Sequence, residues 1–260
     1  MKNIKYLAVF PIVFSLLSCF DERYIDLPLK DLSGTIVIEG NVTDKSGPYR
    51  VKVTRSEKIN ATSYPKPVTD AIVVISDNHG QSDTLKYAEG EYRTTHLTTQ
   101  YGDVYTLSVT VDGVTYNAAS KMPEYVEFTA LKQKDIPNEY YIEKKVIPVF
   151  TDPEVKGNYY LFKSQEYSSI EKITLFSDYS VNGQVNNRTL NGTNYSKNRK
   201  VKVEMQCIDE AVYNYFKAQN NPDNPESNTT VSANPPSNIS NGALGYFSAH
   251  TTSQKEIIIQ

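Results

Sequence analysis

One thiol in this chain, Cys19, has neighbours that prepare it for acylation rather than for redox or nucleophilic chemistry. Leu16-Leu17-Ser18-Cys19 sets a small residue directly before the cysteine, at the end of an apolar run over residues 6–17. Lys2 and Lys5 give that run a short positive start. As a helix the run is too short to span a hydrocarbon core of roughly 30 Å. A basic start, a short apolar stretch and a small residue at the cut are the parts of an export signal. A cysteine just after the cut is its lipoprotein form, in which the thiol takes long-chain acyl groups such as palmitate and the cysteine becomes residue one. Residues 1–18 are therefore expected to be removed as a signal peptide, with Cys19 as the lipid attachment site.

The other residue types that could do chemistry do not assemble into a site. With Cys19 acylated, the second cysteine, Cys207, has no partner for an intramolecular disulfide, and Met205 and Ile208 beside it mark it as a small buried hydrophobe. His79, His96 and His250 are scattered, and a zinc site needs at least three converging ligands. Asp178-Tyr179-Ser180-Val181-Asn182-Gly183 copies the first half of a calcium loop, but the twelfth position, which needs a bidentate Glu, is Thr189. A turn at Asn182-Gly183 is the expected reading of that stretch. Asp83-Thr84-Leu85 matches a short O-glycosylation pattern and equally the start of a strand. There is no Gly-x-Ser-x-Gly elbow, phosphate loop or His-Glu-x-x-His. The expectation is a protein with no catalytic residues, no metal and no cofactor, whose ligand-binding residues the sequence leaves unknown.

Composition narrows the class. The full chain has a net charge of −3, and loss of the signal removes two lysines and no acid, leaving the mature protein more acidic. That balance argues against nucleic acid, whose phosphates need clustered Lys and Arg. Twenty Tyr, nine Phe and no Trp, with many Asn and Thr, favour strands joined by tight turns.

The elements expected to hold these residues are strands. Residues 19–32 read as a tether from the lipid to the first of them. Ile36, Ile38 and Val42 alternate with more polar neighbours, as do Tyr49, Val51 and Val53, with the period of two of a half-buried strand. The unbroken apolar run from Ala71 to Ile75 predicts a central strand buried on both faces. Tyr105, Leu107, Val109 and Val111 share one face; Asp112-Gly113 then gives a two-residue turn, and Val114, Tyr116 and Ala118 return. Turn signals at regular spacing predict an immunoglobulin-like or transthyretin-like β-sandwich over residues 33–122. Pro65 and Pro67-Val68 are expected in a loop of it. Residues 123–260 are expected to form a second β-rich domain. Its strands are predicted near 146–151, 158–163, 172–177, 201–206, 244–248 and 256–259. One helix is predicted over 210–218, capped by Asp209, with Val212, Tyr215 and Phe216 on one side. Two loops, 178–198 and 220–242, are rich in Asn. The fold class is all-β, two modules with one short helix.

Several segments together resemble the Bacteroidota lipoproteins grouped as domain of unknown function 4249. They are Cys19 with its following acids, Ile38-Glu39-Gly40, Pro67-Val68 with Ala71 and Val73, and Gly157-Asn158-Tyr159-Tyr160. The longest is Pro235-Pro236-Ser237-Asn238-Ile239-Ser240-Asn241-Gly242-Ala243-Leu244-Gly245-Tyr246-Phe247-Ser248-Ala249. Asp21 and Glu22, directly after the lipidated cysteine, resemble the signal that sends such lipoproteins to the cell surface. The resemblance implies an outer-membrane lipoprotein held by its N-terminal lipid and, by association, accessory to a TonB-dependent receptor in ligand capture or nutrient uptake. It supplies no catalytic residues. An adhesin or envelope-structural lipoprotein is the alternative, and a hydrolase with a carboxylate site is a third reading.

Overall fold

The computed structural model describes residues 33–58, 64–167, 169–179, 181–191, 194–220 and 234–260. Cys19, Asp21 and Glu22 lie outside the described residues, as does most of the 220–242 loop.

The first half of the described chain is made of short strands: β1 (Ile36–Thr43), β2 (Arg50–Arg55), β3 (Lys66–Pro67), β4 (Ile72–Asp77), β5 (Ser82–Thr84), β6 (Lys86–Ala88), β7 (Glu91–Arg93), β8 (Val104–Val111) and β9 (Val114–Lys121). The second half holds β10 (Ala130–Pro137), β11 (Ile142–Val149), β12 (Tyr159–Glu166), β13 (Lys172–Ser177), β14 (Lys200–Ile208), helix α1 (Glu210–Asn220) and β15 (Leu244–Ile258). One nine-stranded sheet runs β13-β12-β14-β15-β1-β2-β7-β6, with β3 on β2. A four-stranded sheet runs β5-β4-β8-β9, and β10 pairs with β11 alone.

Period-two burial explains the first module. Ile38, Val51 and Val53 from the large sheet meet Val73, Ile75, Tyr105, Leu107 and Val109 from the four-stranded sheet in one core. This is a β-sandwich, as expected. The β8–β9 turn falls where the sequence put it, with Asp112 and Gly113 both at positive φ, 49° and 78°. Strand β4 departs from expectation. It is central in its sheet, but Ile72 is 61% exposed while Val73 and Ile75 are fully buried. An antiparallel sandwich sheet can leave its outer face to water, so an unbroken apolar run need not mean two covered faces. Pro67 lies in a two-residue strand pairing Thr54, rather than in a loop, which the missing N–H permits at a sheet edge.

The largest departure is β15. Two closing strands were expected, and the structure has one strand of fifteen residues. Its first part runs parallel to β1, with Ile38 opposite Gly245 and Gly40 opposite Phe247. Its second part runs antiparallel to β14, with Lys200 opposite Ile258. Side chains on one face of a strand recur every second residue. Phe247 and Ala249 therefore enter the first core, and Ile257 and Ile259 the second. The segment before β15 also serves the first module: Ser240 N–H donates to Asn117 O, and Asn241 Nδ2 to Thr115 O. The expected division after residue 122 is thus crossed by the last strand, which carries residues of 123–260 into both cores.

In the second module, β10 and β11 cover the Phe162, Val203 and Met205 face of the sheet. Helix α1 covers the opposite face with Val212, Tyr215 and Phe216 against Leu161 and Ile208. The cap is the predicted one, Val212 N–H donating to Asp209 Oδ1 at 2.9 Å. Ser120 of β9 hydrogen bonds to the same carboxylate.

Candidate functional site

The sequence-predicted chemistry is dispersed by the fold. Cys207 is buried, and burial pushes its thiol pKa up, so it behaves as an inert core residue. His79 lies in the β4–β5 turn, where Nε2 meets Asp103 Oδ1 at 2.8 Å. His96 flanks Asp83. His250 is fully buried, and desolvation, reinforced by Lys163, depresses its pKa to about 4. Asp83 of the Asp-Thr-Leu stretch is a structural carboxylate: its Oδ2 accepts the N–H groups of Thr95, His96 and Leu97. Among the described residues no group of His, Cys, Asp and Glu converges as metal ligands would.

The 178–198 connection is more than a solvent loop. Leu190 and Tyr195 are buried in the second core, and Val185 bridges to Thr151. Its first residues turn back to form one wall of a cleft of about 670 Å³, a size typical of small-molecule sites. Three pieces of chain build this cleft: Lys156, Gly157 and Tyr159; Ser177, Asp178, Tyr179 and Asn182; and the outer face of α1. Helix spacing explains the third piece. Glu210, Tyr213, Asn214 and Lys217 recur at three, four and seven residues, which places them on one face. Val212, Tyr215 and Phe216 turn the opposite way into the core.

Asp178 closes the lip. Its Oδ2 accepts Gly157 N–H at 2.6 Å and Asn158 N–H at 3.1 Å, with Gly157 at φ 94°. The carboxylate that a calcium loop would offer to a cation is here engaged by backbone. Asn182 Nδ2 donates to Glu154 O at 2.8 Å, while its Oδ1 is buried with no hydrogen-bond partner. Tyr159 and Tyr213 form the aromatic centre, with ring centroids 4.8 Å apart and tilted by 40°. Burial raises the Tyr159 pKa, and a hydrogen bond to Glu210 raises it further. Beneath the wall, Arg188 lies over the Phe176 ring at 4.2 Å and donates from Nη1 to Ser177 O at 2.9 Å. Arg188 thereby fixes the strand end that leads into the cleft.

Sequence reading found the helix and the loop but not that they face each other. The signal available was the polar side of α1, where Glu210, Tyr213, Asn214 and Lys217 form a stripe. A family model described as "Domain of unknown function (DUF4249)" matches residues 22–256. The chain belongs to this family. No curated protein matches it. Among solved structures, a two-domain fibronectin type-III segment from chicken tenascin is similar at 9% identity and a TM-score of 0.24, covering 66% of this chain and 90% of its own. At that score the architecture has to be read from the sheets themselves. In this DUF4249 chain, two of the segments that carry the resemblance, Ile38-Glu39-Gly40 and Gly245-Tyr246-Phe247, are partners in one parallel ladder. No helix among the described residues is long and apolar enough to cross a membrane.

Proposed function

We propose that this protein is a surface-exposed, lipid-anchored outer-membrane lipoprotein without enzymatic activity, which captures a small ligand as accessory to a TonB-dependent transporter. The anchor would be the lipid on Cys19, with Asp21 and Glu22 directing export to the surface. The observation that carries ligand capture is the cleft beside α1, open to solvent and walled by three tyrosines and hydrogen-bonding side chains on a rigid sheet. Binding residues on loops and helix faces held by a scaffold are the common arrangement for recognition.

Affinity purification through the lipoprotein from detergent-solubilised membranes tests the partnership. The expected result is co-recovery of a β-barrel receptor, and recovery of none overturns it. Protease shaving of intact cells tests the face, with loss of the protein expected. The adhesin reading has its own support in the β10–β11 tip, where Tyr140 is 83% exposed beside Tyr141 and Ile142 at 52% and 55%. Loss of cell attachment on deletion, with nutrient-dependent growth unchanged, would favour it.

A further inference from the structure

We infer that the cleft beside α1 takes a neutral saccharide, and this rests on reading the cleft as the capture site. Three features of the wall select that chemistry.

The first is charge. Lys156 and Lys217 balance Asp178 and Glu210 around the opening, so the site offers no net field to an anion or a cation. The second is the aromatic surface. Tyr159 and Tyr213 share a tilted stack, and Tyr179, 96% exposed, stands at the rim of the same cleft. Aromatic rings with polar tips pack apolar patches while their hydroxyls stay hydrogen bonded. A pyranose offers the matching surface, a C–H face bordered by hydroxyls. The third is the hydrogen-bond inventory. A sugar hydroxyl both donates and accepts, so it needs acceptors and donors side by side. Asn214, Glu210 and the two lysines supply both kinds. A purely apolar ligand would leave these groups unpaired, which is strongly unfavourable.

The test is a binding titration on the full-length lipoprotein, purified in a detergent without a sugar headgroup. The probes are neutral gluco-, xylo-, manno- and N-acetylglucosamine oligosaccharides, read by saturation-transfer NMR and calorimetry. At least one should bind. Tyr213→Ala should weaken that binding by about tenfold or more, as expected for loss of a central aromatic contact, and Tyr213→Phe should keep most of it. Because Tyr213 also packs on Tyr159, Tyr179→Ala serves as the variant that leaves the fold intact, its side chain being almost wholly exposed. It should weaken binding severalfold with the thermal transition unchanged. No binding across the panel overturns the inference. So does binding that neither alanine variant alters. A β-barrel receptor that co-purifies while no saccharide binds would discard the ligand class and leave the partnership standing.

Discussion

Replacing Gly245 with alanine isolates the contact on which the join between the two modules depends. Gly245 has φ 94°, and a Cβ built on it falls 2.0 Å from the carbonyl oxygen of Ile38 and 2.9 Å from its carbonyl carbon. Both atoms are backbone of the paired strand β1, so no rotamer change relieves the overlap. The strands must part on the order of 1 Å to restore van der Waals contact. Two terms add. An alanine at positive φ costs about 1–2 kcal/mol, and forcing packed elements apart costs about 1–3 kcal/mol more. The sum, about 2–5 kcal/mol, is a large share of a typical stability of roughly 5–15 kcal/mol. For a protein of this size it corresponds to a fall in Tm of roughly 10 °C. Gly90 gives the control. Its φ is 88°, yet nothing lies within 4 Å of a Cβ there, so Gly90→Ala carries the backbone term alone and should lower Tm by roughly 3 °C. Thermal unfolding followed by circular dichroism measures both. Equal shifts in the two variants would refute the reasoning, because they would mean that the approach of β15 to β1 adds nothing.

Three further outcomes follow from buried polar groups. His250 is held neutral with its pKa depressed from 6.5 to about 4, so the unfolded state binds the extra proton first. Stability is full above pH 6.5 and declines as pH falls to about 4, by about 3 kcal/mol in total. Urea titrations across that range should show the slope in the native protein and its loss in His250→Asn; a parallel slope in both discards the assignment. Asp83→Ala should destabilise by about 3 kcal/mol, since three backbone N–H groups lose their acceptor, whereas Asp83→Asn, which keeps an oxygen, should lose clearly less in the same assay. Native Cys207 should resist alkylation by iodoacetamide near neutral pH and react on unfolding in urea, because its thiol is buried and its pKa raised; rapid native labelling would contradict its burial.

What the sequence revealed was set by local rules. The hairpin at Asp112-Gly113 and the Asp209-capped helix need only neighbours a few residues away, so their signals survive in one dimension. The strand pairs that were missed depend on distant partners. Strand β10 reads as polar, with Lys132, Lys134 and Asp135 in sequence, and becomes a strand by pairing along its length with β11. Leu244–Ile258 looks like two strands because its middle, Ser253 to Glu256, is polar; the strand leaves β1 after His250 and continues on β14 from Thr251. The cleft is hidden for the same reason. Its walls come from separate stretches between Lys156 and Lys217, and the packing of α1 on β12 and β13 brings them together.

The family segments lie mostly in the scaffold, and one of them reaches the cleft. Ile38-Glu39-Gly40 and Gly245-Tyr246-Phe247 form a seam where side chains are excluded: the Gly245 Cβ would strike Ile38, and a Cβ on Gly40 would lie 2.8 Å from the Phe247 ring. Such a seam constrains the residues that can stand there through packing alone. Gly157-Asn158-Tyr159-Tyr160 belongs to the frame as well, but it reaches the cleft, where Asp178 fixes its turn and Tyr159 supplies one ring. Of the remaining wall, Tyr179, Asn182, Tyr213 and Asn214 lie outside every one of those segments. Exchanging the exposed Tyr179 and Asn214 should alter binding while leaving Tm nearly unchanged, whereas no exchange at Gly40 or Gly245 should be neutral for stability.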